Sequence, residues 1–430
     1  MPERVPHRRS RWRGLLSLAT VLVVTGAAAA CSESLDGGAA CPALCPSQSE
    51  AFRDTTIDAV ALDTSIQGFP TLGLSAVLLV ANRPDTLVTH TVMRFDVLAT
   101  SFIPNKTGAI DSVTTVDSVF LAVPLDTTGR LGSRPVTIEA YDVDTTASDT
   151  VSTVVRSLFR PDRRIGALTV VPTATGDSLR IPINKAFMER KIAAKSRVRV
   201  GLRIAQGNGQ IRVRAFQFGA GAPTLRYDPT TDTTYSPVIL NTNTSIANVP
   251  TDINLSYQVY PITDVGSPVL PPQTLAVGGY PAHRTYLRFT VPARITDTAT
   301  IVRAELVLTQ RRSRFGNAND TVTIVPLVPT TTGVVADLRR VLDLSAEGAL
   351  AAVDTARMVP SDSGQRTLNV LALARTWRTL PTNVPRALAF RIGLEGAQPA
   401  ELRFFSSEAP SALRPKLRIT YLPRSEFALP

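Results

Sequence analysis

VMRFDV at residues 92–97 and YLRFTV at residues 286–291 decide the architecture of this chain. Arg94-Phe95 and Arg288-Phe289 stand 194 residues apart. PTLRYD (223–228) and PKLRIT (415–420) repeat the relation, with Leu225 and Leu417 separated by 192. Two short signals recurring at nearly one long offset mark a duplicated domain, and such a period fixes architecture before any local element is assigned. Interior marks agree with the ends. Ile138 matches Ile324 at 186, Leu179 matches Leu368 at 189, and Ile204 matches Ile392 at 188. Val119-Phe120-Leu121 likewise matches Glu305-Leu306-Val307. The drift of a few residues is what loops of different length give on a shared scaffold.

Between these marks lie short runs such as VTIEAYDV, QIRVRAF, ATIVRAELVLT and RALAFRIGL, broken by Asp-Thr, Pro and Gly. Such spacing reads as an all-β sandwich. In RVRVGLRI, Val198, Val200, Leu202 and Ile204 share one face, and Arg199, Gly201 and Arg203 the other. The arginine face reads as the wet side of a sheet. NKAFMERKIAAK and ALARTWRTL are helix-like, and Val335, Leu338 and Leu342 have helical spacing in an insertion over residues 334–353. The expected fold is all-β, two tandem β-sandwich (jelly-roll) domains with short helical insertions. Their expected bounds are 53–230 and 251–424, joined by a Thr-, Asn- and Pro-rich stretch near residues 229–252 and folding as separate units.

Residues 1–30 read as a secretory signal: Arg4, Arg8, Arg9, Arg11 and Arg13, then an apolar run over Leu15–Val24, then Gly26 and small residues up to Ala30. The order resembles a bacterial lipobox, with Ala28 where leucine is usual and Cys31 as the lipidated residue. That resemblance implies a membrane anchor through several acyl chains, and Ser32 in place of aspartate implies delivery to the outer membrane or cell surface. Residues 31–52, rich in Ser, Gly, Ala and Pro, read as a flexible tether. Cleavage before Cys31 removes those five arginines and Glu3, which lowers the formal net charge from +11 to +7. The remaining arginines are scattered singly along strand-like runs, a pattern that disfavours nucleic acid as a partner and suits weak attraction to an acidic polysaccharide surface.

The chain has three cysteines. Cys41 and Cys45, in CPALCP, remain after lipidation and are candidates for a disulfide in an oxidising compartment. Zinc is disfavoured, because the exported chain keeps only His90 and His283. These are 193 residues apart, read as equivalent positions ahead of each copy's opening strand, and are expected to play a shared surface or strand-edge role.

YLRF, TATIVRAELVLT, TLNVLALARTW with ALAFRIGL, and RPKLRITY resemble in their order the DNRLRE-type domain, a β jelly roll related to carbohydrate-binding modules of secreted bacterial proteins. The second copy fits over most of its length, and the first keeps the opening and the end. The resemblance implies a fold and, more weakly, a carbohydrate partner, because fold alone does not carry function.

No GxSxG elbow, HExxH helix or phosphate-cradling glycine loop occurs in the sequence. Ten of the 24 aspartates stand in Asp-Thr steps, a turn signature in which the carboxylate caps its own backbone, and no carboxylate pair of a glycosidase stands out. No cofactor is expected, although loop aspartates suit a structural calcium. Trp377 falls where Met188 stands in the first copy, which argues for a core role. Tyr257, Tyr260, Tyr280 and Tyr286 cluster at the entry to the second copy as candidates for a shallow ligand groove. The reading is a non-catalytic lipoprotein of the surface or outer membrane, binding a glycan or matrix component or serving a structural role. A polysaccharide lyase or hydrolase, or an accessory subunit of an outer-membrane uptake complex, remains the alternative.

Overall fold

Period-two runs of valine, isoleucine and threonine have no helical stripe to bury, so they pair sideways and bury alternate side chains. The computed structural model describes residues 52–69, 75–103, 108–147, 151–215, 221–229, 238–242, 259–329 and 355–423. An amino-terminal strand pair comes first, β1 (Arg53–Ile57) and β2 (Val60–Phe69). The first body opens with β3 (Val77–Arg83), β4 (Leu87–Val97), the two-residue strands β5 (Ser101–Phe102) and β6 (Asp111–Ser112), β7 (Ser118–Leu131) and β8 (Val136–Asp142). It continues through helix α1 (Ser152–Arg156), β9 (Arg164–Val170), β10 (Ser178–Pro182), helix α2 (Lys185–Ala193), β11 (Arg197–Gln206), β12 (Gly209–Arg214) and β13 (Thr224–Asp228). A second strand pair follows, β14 (Val238–Asn241) and β15 (Val259–Val265). The second body runs through β16 (Thr274–Gly279), β17 (Ala282–Phe289), β18 (Thr300–Arg311), β19 (Val322–Leu327) and β20 (Ala356–Met358). It ends with β21 (Gly364–Asn369), helix α3 (Leu371–Thr376), β22 (Ala387–Ile392), β23 (Glu401–Phe405) and β24 (Lys416–Leu422).

All but β5 and β6, which pair with each other, form two 11-stranded antiparallel arrays with one topology. The first has the order β14-β13-β7-β12-β3-β4-β11-β8-β9, with β10 on β7 and β15 on β4. The second has the order β1-β24-β18-β23-β16-β17-β22-β19-β20, with β21 on β18 and β2 on β17. A long strand turns each array into a sandwich. Residues Ser118–Pro124 of β7 pair with β10 and β13, whereas Leu125, Asp126 and Leu131 pair with β12. In the same way β18 pairs early with β24 and late, at Gln310 and Arg311, with β23. Strands that change layer are how two-layer β folds close around one core.

The duplication is visible in register. Ile138 pairs with Ile204, and Ile324 pairs with Ile392, four residues matched from the two offsets. Met93, Phe95, Leu121, Ile204 and Leu225 lie in one core, and Leu287, Phe289, Leu306, Ile392 and Leu417 in the other. Burial of each such side chain is worth about 1.5–3 kcal/mol. Two matches shift. Leu225 faces Leu121 and Leu417 faces Leu306, so Leu306 is the counterpart of Leu121, not of Phe120. Ile181, opposite Leu121, is the counterpart of Leu368, opposite Leu306, so Leu179 is displaced from that match by two. A two-residue slip keeps every side chain on its face, so hydrophobic pattern alone does not register it.

The domain bounds need a larger correction. The pair β1–β2 precedes the first body in sequence but completes the second array, and β14–β15 completes the first. The first jelly roll is therefore residues 77–228 with 238–265, and the second is residues 274–422 with 53–69. The bounds 53–230 and 251–424 cut through both. The chain from Phe52 onward forms one compact unit rather than two separate ones. Tyr280 of the second jelly roll packs on Leu79, Ala81 and Leu87 of the first, and Ser75 Oγ donates to the Glu395 carbonyl at 2.9 Å. Residues 1–51, which hold the expected signal and all but the last residue of the expected tether, and the insertion over 334–353 lie outside the described residues.

Candidate functional site

Strand alternation places His90 and Arg94 of β4, Glu139 and Tyr141 of β8, and Arg199 and Arg203 of β11 on the face turned away from the core. Glu139 and Tyr141 are two residues apart on β8 and share that outer face, while Ile138 and Ala140 point into the core. The Tyr141 hydroxyl donates to Glu139 Oε2. Arg203 stands across the ladder from Glu139, reaches Oε2 at 3.5 Å and lies 4.6 Å from the Tyr141 ring centre. Arg164 of β9 donates to Glu139 Oε1 at 3.0 Å. Burial by itself raises the Glu139 carboxyl. The Tyr141 and Arg164 hydrogen bonds and the Arg203 charge outweigh it and hold the group below the usual carboxylate range. Burial and the Glu139 hydrogen bond push the Tyr141 phenol up to about 12, so it keeps its proton at neutral pH and serves as a donor.

Phe159, just past α1, lies on the same face, 4.9 Å from the His90 ring and 5.5 Å from Tyr141. Gly201 makes room for it: a β-carbon there would meet Phe159 Cζ at 2.5 Å. His90 Nε2 lies 2.9 Å from Asp264 Oδ2, and Arg156 Nε lies 2.7 Å from Oδ1 of the same carboxylate. Arg156 Nη2 also donates to the Thr263 carbonyl at 2.6 Å. Burial opposes ionisation of Asp264, but His90 and Arg156 override it and lower its pKa. At the end of β8, Asp144 accepts from Lys191 at 3.1 Å and Arg197 at 2.9 Å, and Arg163 Nη2 approaches Asp142 Oδ2 at 3.5 Å. Lys191 and Arg197 outweigh burial and hold Asp144 low.

The second jelly roll carries a different set. His283 Nδ1 lies 3.3 Å from Glu401 Oε2, and Arg403 Nε donates to Oε1 at 2.6 Å. Arg284 donates twice to Glu395, at 2.8 and 2.6 Å, with its guanidinium 4.0 Å over the Phe69 ring of β2. The two histidines are not counterparts. Met93 pairs with Val200 as Leu287 pairs with Leu388, which aligns His90 with Arg284 and Thr89 with His283. Both histidines lie within strands, 5% and 4% exposed, so the surface role expected of them does not hold. Each histidine is enclosed, and His90 joins β4 to β15 through its hydrogen bond with Asp264.

The tyrosine groove is also corrected. Tyr260 packs with Val92, Tyr141 and Phe159; Tyr280 lies between the jelly rolls; Tyr286 packs with Phe69, Ala282 and Ala387. All three are buried and turn no ring face outward. Tyr257, Cys31, Cys41 and Cys45 lie outside the described residues. Trp377 is fully buried and its Nε1 donates to the Ala387 carbonyl at 3.1 Å, while Met188 is fully buried in the other core. The arginine face of β11 is not wet: Arg199 is 1% exposed, and Arg94, its partner across the ladder, is 0% exposed. Among the described residues no group of three or more His, Cys, Asp or Glu side chains is arranged to hold a metal ion. Asp142 and Asp144, the kind of loop carboxylates that suit calcium, face Lys191, Arg163 and Arg197.

Glu139, Asp264 and Arg156 did not stand out in the sequence. A signal was present in VTIEAYDV, where an acidic residue and a tyrosine alternate with core residues and so mark a covered outer face.

No family model matches the chain. No curated protein matches it. Among solved structures, T=1 particles derived from infectious bursal virus align over 87% of this chain and 74% of theirs, at 12% identity and a TM-score of 0.10. A likeness that weak bears on neither fold nor activity. Among the described residues no helix is long and apolar enough to cross a membrane.

Proposed function

We propose that this chain is a non-catalytic, lipid-anchored protein of the envelope exterior whose paired jelly rolls act as one structural spacer. The observation that carries this reading is the path of the chain after the tether. Its first strand, β1, is laddered to β24 of the second jelly roll from Arg53↔Tyr421 to Ile57↔Leu417. A pull on the tether therefore enters the second jelly roll directly, and the first is tied to it at both ends of its own sequence. Buried tyrosines, and outer-face carboxylates already paired with arginine, support a structural role over an aromatic sugar platform. The half-exposed rim of Arg156, Arg160 and Arg164 supports a second reading, contact with an acidic polysaccharide, although each has a carboxylate within 2.7, 3.1 and 3.0 Å.

Two measurements test the proposal. Cys31→Ala should lose the acyl mass and leave the membrane fraction; retention in membranes at high salt sinks the anchor. Residues 46–430 should leave a glycan array blank. A reproducible hit that Arg164→Ala abolishes moves the assignment to polysaccharide binding.

A further inference from the structure

We propose that the second jelly roll accepts the β1–β2 pair of another copy of this chain as well as its own, so that chains link head to tail by strand donation. The two pairs complete equivalent positions but differ in sequence placement. β14–β15 leads directly out of β13, the strand it flanks, whereas β1–β2 is separated from β16 by the whole first jelly roll. Residues 70–76 join β1–β2 to β3 of the other jelly roll. The pair that directly precedes β16 in sequence, β14–β15, is committed to the first jelly roll, so the groove of the second is filled from a distance in sequence.

The groove is built for a strand pair of this composition. β2 runs along β17 from Val60↔Phe289 to Phe69↔Ala282. Phe69 is 1% exposed against Ala282, Tyr286 and Ala387, and Ile57 enters the second core. Without the pair, β24 and β17 each present an unpaired edge beside an apolar pocket, the condition that recruits a strand. Every one of these contacts is the same whichever copy supplies the pair. The choice depends on effective concentration, about millimolar for a short connection, so exchange between copies rises with total concentration. Donation from the amino end of one chain to the carboxyl-side jelly roll of the next is a heterologous contact, which propagates as a chain or closes as a ring.

The test uses the pairing of Thr56 with Arg418, both exposed. Two chains starting at Ser32, with Cys41 and Cys45 changed to serine, carry Thr56→Cys or Arg418→Cys and different tags. They are unfolded, mixed and refolded with a mild oxidant. The expected result is a covalent heterodimer whose yield rises with total concentration, against background for Thr56→Cys mixed with Ser157→Cys. A chain carrying both cysteines reports the geometry by closing its own disulfide. Heterodimer at background, with that disulfide formed, overturns donation between copies. Failure of the internal disulfide to form overturns the β1–β24 pairing on which the inference stands. Neither result touches the anchor, which these chains lack.

Discussion

Phe69→Ala places a single cut where sequence order and spatial order disagree. Phe69 belongs by sequence to the stretch leading into the first jelly roll, yet its ring packs on Ala282, Tyr286 and Ala387 of the second, under the Arg284 guanidinium. Truncating a buried phenylalanine costs about 3–5 kcal/mol from lost transfer energy and the cavity left behind. The low end applies here, because this outer cluster is small and half-buried Leu62 and Ile66 can relax into the space. A loss of about 3 kcal/mol multiplies the opening equilibrium by roughly 100-fold. Native-state hydrogen exchange read by mass spectrometry resolves where that opening occurs. Amides of residues 282–289 and 387–392 should exchange about 100-fold faster, while residues 87–97 and 197–206 keep their protection. Loss of protection centred on β4 and β11 instead would mean that β2 sits on its sequence neighbour, and the exchanged topology would be wrong.

Trp377→Ala should cost about 3–5 kcal/mol and lower the melting temperature of the second jelly roll, with Trp377→Phe losing less; an unchanged melt would contradict its place in the core. Glu139, Asp144 and Asp264 are all held below the ordinary carboxylate range and all belong to the first jelly roll. Their folded pKa values lie below the unfolded ones, so the stability they contribute is complete above about pH 4 and is lost as pH falls through the folded values. Melting followed by circular dichroism should therefore drop below about pH 4, and Asp144→Asn should flatten that drop while lowering stability at neutral pH; an unaltered acid limb would show that the ion pairs of Asp144 are not linked to folding. Residues 75–265 should fold alone as a cooperative β protein, whereas residues 251–424 should reach a cooperative melt only when a peptide of residues 53–69 is added. Equal folding of both without the peptide would leave β1–β2 dispensable.

The duplication was legible because it rests on core residues whose chemistry both copies must keep. Leu225 and Leu417 each face a leucine across the ladder, and Ile138–Ile204 and Ile324–Ile392 are paired isoleucines. Changing any of these opens a cavity, so the pattern persists while loops drift. Register finer than that was not legible, because leucine at 179 and isoleucine at 181 lie on one face and either satisfies the hydrophobic pattern. The exchange of strand pairs left no local trace at all. Val60 to Phe69 reads as a strand wherever it docks, and nothing in a strand's own alternation names its partner.

The covered outer face was legible in part, and its misreading has a physical cause. An arginine alternating with valine is the usual mark of a solvated face, and Arg199 and Arg203 were read so. What reverses the reading is a second layer supplied from distant sequence: Phe159 seated over Gly201, and Tyr260 and Asp264 brought in on β15. The glycine was the clue. On a solvated sheet face a glycine only weakens the strand, whereas under a docked ring it is needed, since a methyl at 201 would meet Phe159 at 2.5 Å. The same layer explains why the ionisable groups here are clamps. A carboxylate bonded to side chains of two other elements stabilises whichever element brings it, and Asp264, held by His90 and Arg156, brings β15, a strand of the same kind as the β1–β2 pair whose docking ties the two jelly rolls together.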